Sequence, residues 1–283
     1  IWHAMIMWNP RSVMFEVAWC VMLYSTVLAL EFSPALLERF KWKTPLKIVK
    51  AITIPLVIAG VLLSTLHQSS LGSLYLIVPN KLYGLWYSSL IPVFFFLSAL
   101  TIGCAMIIIE SYLSARAFKK ELEFPLLLRL GQIMVMLILV QLVVRAIDFT
   151  DRGVLNLLLI PRTETYLFYL EIILGLIIPL VLLSIKNIRT TRVGLFYASF
   201  TAVLGFVLNR MNVSITGMEA GSGVSYLPSW MEVFVTMGIV ALGFVAFSYA
   251  VKYLNIFEEP VKEEHTVNDV VATEINFNTA LVD

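Results

Sequence analysis

Leu90-Ile91-Pro92-Val93-Phe94-Phe95-Phe96-Leu97-Ser98-Ala99-Leu100-Thr101-Ile102-Gly103-Cys104-Ala105-Met106-Ile107-Ile108-Ile109 contains no charged side chain, and its only hydroxyls are Ser98 and Thr101. At 1.5 Å per residue a helix of about this length reaches ~30 Å, the depth of a bilayer's hydrocarbon core. A backbone in hydrocarbon must satisfy its own polar groups, so this run reads as a membrane-crossing helix. It belongs to a longer apolar segment, Ser88–Leu113. Six comparable segments flank it: Ser12–Phe32, Leu46–Leu66, Leu126–Ile147, Thr165–Ile185, Val193–Asn209 and Ser229–Val251.

Composition agrees with that reading. The 283 residues are 59% hydrophobic and 14% charged, with a mean hydropathy of +0.88. A soluble domain is roughly 45–50% apolar and about one quarter charged. The net charge of +1 offers no basic surface for nucleic acid, and Cys20 and Cys104 lie inside apolar segments, away from any disulfide framework. The predicted fold class is an all-α integral membrane protein. It is a polytopic helical bundle of about seven transmembrane helices over residues 1–253, followed by a polar, acidic tail at 254–283. The chain opens at Ile1-Trp2-His3 without an initiator Met, and further N-terminal helices are expected upstream.

The 20 basic residues divide unevenly between the two sets of connections. Fourteen fall on one side: Arg39, Lys41, Lys43, Lys47 and Lys50; Arg116, Lys119, Lys120 and Arg129; Lys186, Arg189 and Arg192; Lys252 and Lys262. Six fall on the other: Arg11, Lys81, Arg145, Arg152, Arg162 and Arg210. Cytoplasmic connections carry the excess of Lys and Arg, so the first set and the tail are expected in the cytoplasm. The stretch Leu66-His67-Gln68-Ser69-Ser70-Leu71-Gly72, read as the end of the second helix, then faces the opposite compartment. With the following Tyr75, Tyr83, Trp86 and Tyr87 it suits a flat, apolar, proton-active ligand.

Ionisable groups inside apolar segments cost several kcal/mol unless paired or hydrated, and each is a candidate functional residue. Glu16, His67 and Asp148 sit at one end of their helices and are expected to converge in one pocket. Glu171 lies about two turns in from the same end. Glu110 stands ~25–30 Å away by helix rise, so Ser98, Thr101, Gln141 or water must bridge any proton route to it. Arg145 and Asp148, three apart, are read as neutralising each other. Arg162, Arg210 and Glu232 are read as interfacial groups reaching water. Gly103, Gly131, Gly175, Gly205 and Gly243 are read as close-packing points. The three histidines, His3, His67 and His265, offer no facing pair inside the bundle, so no haem is expected.

Three segments carry a resemblance. Asn9-Pro10-Arg11-Ser12-Val13-Met14-Phe15-Glu16, Leu66-His67-Gln68-Ser69-Ser70-Leu71-Gly72 and Leu208-Asn209-Arg210-Met211-Asn212-Val213-Ser214-Ile215-Thr216-Gly217 resemble the hydrogenase-2-type "cytochrome b" membrane subunits. Tyr226-Leu227-Pro228-Ser229-Trp230-Met231-Glu232 adds to the match. That branch lies within the NrfD/polysulfide-reductase membrane-subunit superfamily, and the resemblance runs from Ile1 to about Tyr253.

It implies a quinone-reactive subunit in the bacterial cytoplasmic membrane, with menaquinone or ubiquinone as the exchangeable carrier. A periplasmic, ferredoxin-like iron–sulfur subunit would exchange electrons with it. [NiFe]-hydrogenase, molybdoenzyme or multihaem cytochrome subunits would complete the complex, and lipid would surround it. About ten helices are implied for the branch, about three of them upstream of Ile1. Family positions fall on Glu16 and His67 at the quinone and on Glu110 on a proton route. Gln68 and Asp148 are expected to complete the quinone site, and Glu171 to join the proton route. No catalytic metal is expected. An ion- or proton-coupled secondary transporter is the alternative reading, since it too would carry buried carboxylates and broken helices.

Overall fold

The computed structural model describes residues 6–118, 122–223, 226 and 228–254. His3, Lys119, Lys120, Lys262, His265 and the tail beyond 254 lie outside the described residues. Among the described residues every regular element is helical, and seven helices are long and apolar enough to cross a membrane. The protein is a multi-pass, all-α membrane protein.

In chain order the helices are α1 (Val13–Arg39), α2 (Lys43–Ala51), α3 (Thr53–Ser73), α4 (Ile91–Phe118), α5 (Phe124–Asp151), α6 (Thr163–Ile172), α7 (Ile178–Ser184), α8 (Lys186–Arg189), α9 (Arg192–Met211), α10 (Gly217–Ser222) and α11 (Trp230–Tyr253). Two π-helical turns join them. Ile173–Ile177 connects α6 to α7, and Asn212–Thr216 connects α9 to α10. The first ends two residues before Pro179, whose missing N–H interrupts the α-helical ladder.

The chain divides into two compact units. One holds residues 1–31 and 52–227. The other holds residues 32–51 and 228–283, where Lys50 pairs with Glu38 at 2.7 Å, a short link between α2 and the last turn of α1.

Within the first unit the core separates by depth. One apolar cluster gathers Leu85, Trp86, Ile91, Phe95, Phe149 and Phe168, near the α3–α4 and α5–α6 connections. A second gathers Ala105, Ile108, Met134, Leu183, Leu195 and Ala198 towards the opposite ends of α4, α5, α7 and α9. Ser98, Thr101, Gln141, Arg145, Glu171, Asn209 and Arg210 fall between them in helix position. Packing is tightest where α9 crosses the first π turn: a Cβ on Gly205 would stand 2.0 Å from Gly175 Cα. Gly131 likewise faces Leu195, at 2.9 Å from an added Cβ. Gly103 and Gly243 meet nothing within 4 Å among the described residues, so the close-packing reading finds no support at those two.

Two spans differ from their expected limits. The second runs over Thr53–Ile77 rather than Leu46–Leu66. Leu46 belongs instead to α2, where Lys43, Lys47 and Lys50 share one face. The polar stretch at 66–72 ends nothing; it lies inside α3, because its side chains find partners on neighbouring helices. The sixth continues to Glu219 instead of stopping near Asn209. Its turn-forming residues are absorbed by the π turn, where Asn212 is buried and bonded.

Candidate functional site

Polar side chains of the first unit collect in three places. The first is the seam between α1 and α3. Ser70 Oγ donates to Glu16 Oε1 at 2.6 Å, and Ser70 is buried. His67 lies one turn before Ser70 on the same face of α3, since residues three apart on a helix are neighbours. Its Nδ1 is buried with no partner among the described residues, as is Nε1 of Trp19 on α1.

The second place is the Glu171 cluster. The Glu171 side chain is only 4% exposed and receives four donors. Oε2 accepts from Trp86 Nε1 at 2.9 Å and Asn212 Nδ2 at 3.1 Å. Oε1 accepts from Asn209 Nδ2 at 2.8 Å and Arg145 Nη1 at 3.1 Å. An ionised carboxylate offers about four acceptor positions, so Glu171 is saturated. It ties the α3–α4 connection, α5 and α9 to α6. To carry a proton it would first have to release one of these donors.

Asn209 also links this cluster to Arg210. Its Oδ1 accepts from Arg210 Nη1 at 2.9 Å, and Arg210 Nη2 donates to Ser98 Oγ at 2.9 Å and Gln68 Oε1 at 3.4 Å. The guanidinium lies 3.5 Å from the Phe95 ring centroid and 4.5 Å from that of Phe206. Among the described residues no carboxylate pairs with it, and its Nε is buried without a partner. Arg210 is therefore a half-buried member of the polar layer rather than an interfacial group. A carboxylate partner was not needed for burial, because two rings and three polar oxygens take its charge.

The third place is Asp148. Arg152 Nη2 and Nε bind its Oδ2 at 2.6 and 2.9 Å, and Ser88 Oγ donates to its Oδ1. Arg145, three residues earlier, bonds Glu171 instead, so the expected Arg145–Asp148 neutralisation does not occur. The i,i+4 spacing to Arg152 allows a two-pronged pair that the i,i+3 spacing does not supply here.

The expected single pocket is thus divided. Glu16 and His67 share the α1–α3 seam. Gln68, one residue further round the helix, turns to Arg210, and Asp148 is held by Arg152 and Ser88. Glu110 is exposed on α4 and has no partner among the described residues. Two small cavities lie in the polar layer and share Arg145 and Asn209. One, of about 30 Å³, is lined by Ser98, Thr101, Gln141 and Glu171; the other, of about 20 Å³, by Trp86, Ser88 and Asp148. These volumes suit single waters and are far below the ~300 Å³ of a small-molecule pocket. No group of three or more His, Cys, Asp or Glu gathers among the described residues.

Sequence reasoning missed Trp19, Asn209 and Asn212, and it placed Arg210 at the interface. The signal was present in the quoted stretch Asn209-Arg210-Met211-Asn212, whose polar residues interrupt an apolar helix.

The model of the family described as "Polysulphide reductase, NrfD" matches residues 1–220. The chain belongs to this family. A relative, the "Probable Ni/Fe-hydrogenase 2 b-type cytochrome subunit" of Escherichia coli (strain K12), is 31% identical over 91% of the chain and 66% of its own length. A protein of Nitratidesulfovibrio vulgaris is 35% identical over 82% of the chain and 62% of its own. The "Menaquinone reductase, integral membrane subunit" of the same organism is 25% identical over 91% and 67%. The chain therefore spans somewhat less than two thirds of the first two relatives. No solved structure matches.

Proposed function

We propose that this NrfD-family chain is the quinone-reactive membrane subunit of a respiratory oxidoreductase in the bacterial cytoplasmic membrane. The observation that carries the reading is the α1–α3 seam. A carboxylate is bonded to a buried serine that lies one helical turn from an imidazole whose Nδ1 has no partner among the described residues. Quinone chemistry moves two electrons and two protons together, and His67 with Glu16 supplies acid–base groups for a ring oxygen. Helix α1 has no buried residue in the described structure. The menaquinone in one relative's name supports the choice of carrier.

With the basic connections in the cytoplasm, Glu16 and His67 lie towards the periplasm. A ferredoxin-like iron–sulfur subunit on that side would exchange electrons with the quinone without crossing the bilayer. Hydrogenase or molybdoenzyme subunits fit the names of relatives, among them a selenate reductase subunit. The water-sized cavities argue against a transporter of larger solutes. They offer instead sites for waters between the seam's neighbours and the interior of the bundle.

The test uses the whole complex. His67→Ala and Glu16→Gln should abolish quinone-linked turnover while assembly and artificial-dye activity of the catalytic partner persist. Undiminished quinone turnover in both variants would remove the site from this seam.

A further inference from the structure

Helix α1 ends in a fixed turn. Lys41 has a left-handed backbone, with φ 58°. Its N–H donates to Glu38 O at 3.1 Å, and that of Trp42 donates to Leu37 O at 3.0 Å. These two bonds are the Schellman ending of a helix. Helix α2 starts at the next residue, Lys43, and stops at Ala51; the following membrane span starts at Thr53. Residues 40–52 thus join one span directly to the next. Nine helical residues cover only about 14 Å, half the hydrocarbon depth. The segment belongs at the bilayer surface, among lipid headgroups.

From residue 39 to residue 50 five side chains are basic, Arg39, Lys41, Lys43, Lys47 and Lys50, and none is acidic. All five are exposed. Lys50 pairs with Glu38, and among the described residues the other four meet no carboxylate within 4 Å. On α2, Lys43, Lys47 and Lys50 recur at i, i+4 and i+7, so like charges stand one above another and repel. Lys43 also stands at the positive end of the helix dipole, with no acidic residue in the first turn. The helix is arranged against its own charge unless anions lie along that face. Beside the cations, Phe40, Trp42 and Ile48 are 65%, 60% and 60% exposed, and the Phe40 and Trp42 rings are 6.1 Å apart. Tryptophan favours the boundary between headgroups and acyl chains. Lysine reaches from that depth to phosphate, its stem lying along apolar surface.

We propose that the α1–α2 turn and α2 form a binding surface for anionic phospholipid. Lys41, Lys43 and Lys47 meet the headgroup phosphates, while Phe40, Trp42 and Ile48 enter the boundary with the acyl chains. Lys50, held by Glu38 at 2.7 Å, ties α2 to the end of α1 and leaves the other cations to lipid. A cluster of four or more Lys and Arg beside a span or on an amphipathic helix is the pattern that retains acidic lipids. The exposed aromatic pair at the end of a span favours lipid over an acidic protein surface, because the apolar side chains then leave water along with the neutralised charge. The lipid contact goes beyond the proposed function and does not depend on the quinone.

The experiment reconstitutes the full chain at low salt in mixed bilayers of phosphatidylglycerol and phosphatidylcholine, with bromine on the acyl chains of one lipid or the other. Trp42 emission is isolated as the difference between the unmodified chain and Trp42→Phe. Brominated phosphatidylglycerol should reach Trp42 in preference to brominated phosphatidylcholine by about fivefold or more, the effect of one lysine at an acidic lipid surface. Replacing all three lysines together, Lys41→Gln, Lys43→Gln and Lys47→Gln, should bring the preference close to one. The matching set of arginine replacements should keep it. Equal quenching by the two lipids in the unmodified chain overturns the proposal. Quenching by neither puts Trp42 outside the bilayer and overturns it in favour of a protein partner. A preference that survives the glutamine set overturns the assignment to these lysines. Loss in both sets overturns it as well, since charge then does not set the preference.

Discussion

At the scale of single residues, Glu171 and Arg210 show how this protein tolerates charge in an apolar bundle. Glu171 has four donors, one of them cationic; Arg210 has aromatic faces and oxygens but no carboxylate among the described residues. Removing one member of a buried pair leaves an uncompensated charge, at a cost of about 3–5 kcal/mol. Glu171→Gln should therefore lower stability by that order, read as a fall in the thermal unfolding midpoint in detergent. A variant that keeps its full stability and loses only proton-coupled turnover would make Glu171 a carrier rather than an anchor. Arg210→Lys should also fail, because an ammonium cannot place a planar fork against Phe95 while reaching Asn209 and Ser98. A stability loss of about 1–3 kcal/mol is expected from the broken network.

Among the elements, the decisive contact is between α9 and the π turn after α6. With Gly175 Cα at 2.0 Å from a Cβ on Gly205, Gly205→Ala must push backbone from backbone. The substitution should cost about 1–3 kcal/mol as overpacking does, and it should loosen Asn209 from Glu171 one turn later. Gly103→Ala provides the contrast. Nothing lies within 4 Å of its Cβ, and replacing a mid-helix glycine by alanine gains roughly 0.5–1 kcal/mol. A parallel thermal-unfolding measurement on the two variants checks both signs. Helix α3 adds a second lesson: its polar residues read as a helix end, yet Ser70 and Gln68 are bonded to other helices and the helix runs on to Ser73.

For the whole molecule, the charge bias predicts which ends face the cytoplasm. In a chain freed of Cys20 and Cys104, a cysteine replacing the exposed Leu159 should be labelled from outside intact spheroplasts, and one replacing Lys43 should not. The reverse pattern would invert the membrane orientation and with it the side of the quinone partner. Glu110 belongs to the same scale. Ile102 is the nearest cavity-lining residue on its helix, eight residues away, which is about 12 Å of helix rise. Glu110→Gln should leave naphthoquinone binding intact and diminish proton movement per quinone turned over, measured in proteoliposomes.

The sequence alone determined the class of fold, because apolar segments of about bilayer length admit helix as the backbone's way of satisfying itself in lipid. It also singled out Glu16, His67, Gln68, Asp148, Glu110 and Glu171, because charge and polarity stand out against an apolar background. Which of these meet was decided only by tertiary structure. Gln68 and His67 are neighbours in the chain, yet the turn of α3 sends one to Arg210 and leaves the other on the face of Ser70. Arg145 and Asp148 are close on one helix, yet each takes its partner elsewhere. A hydrogen bond depends on a few tenths of an ångström and on direction, and those are set by how the helices cross rather than by the order of residues along any one of them.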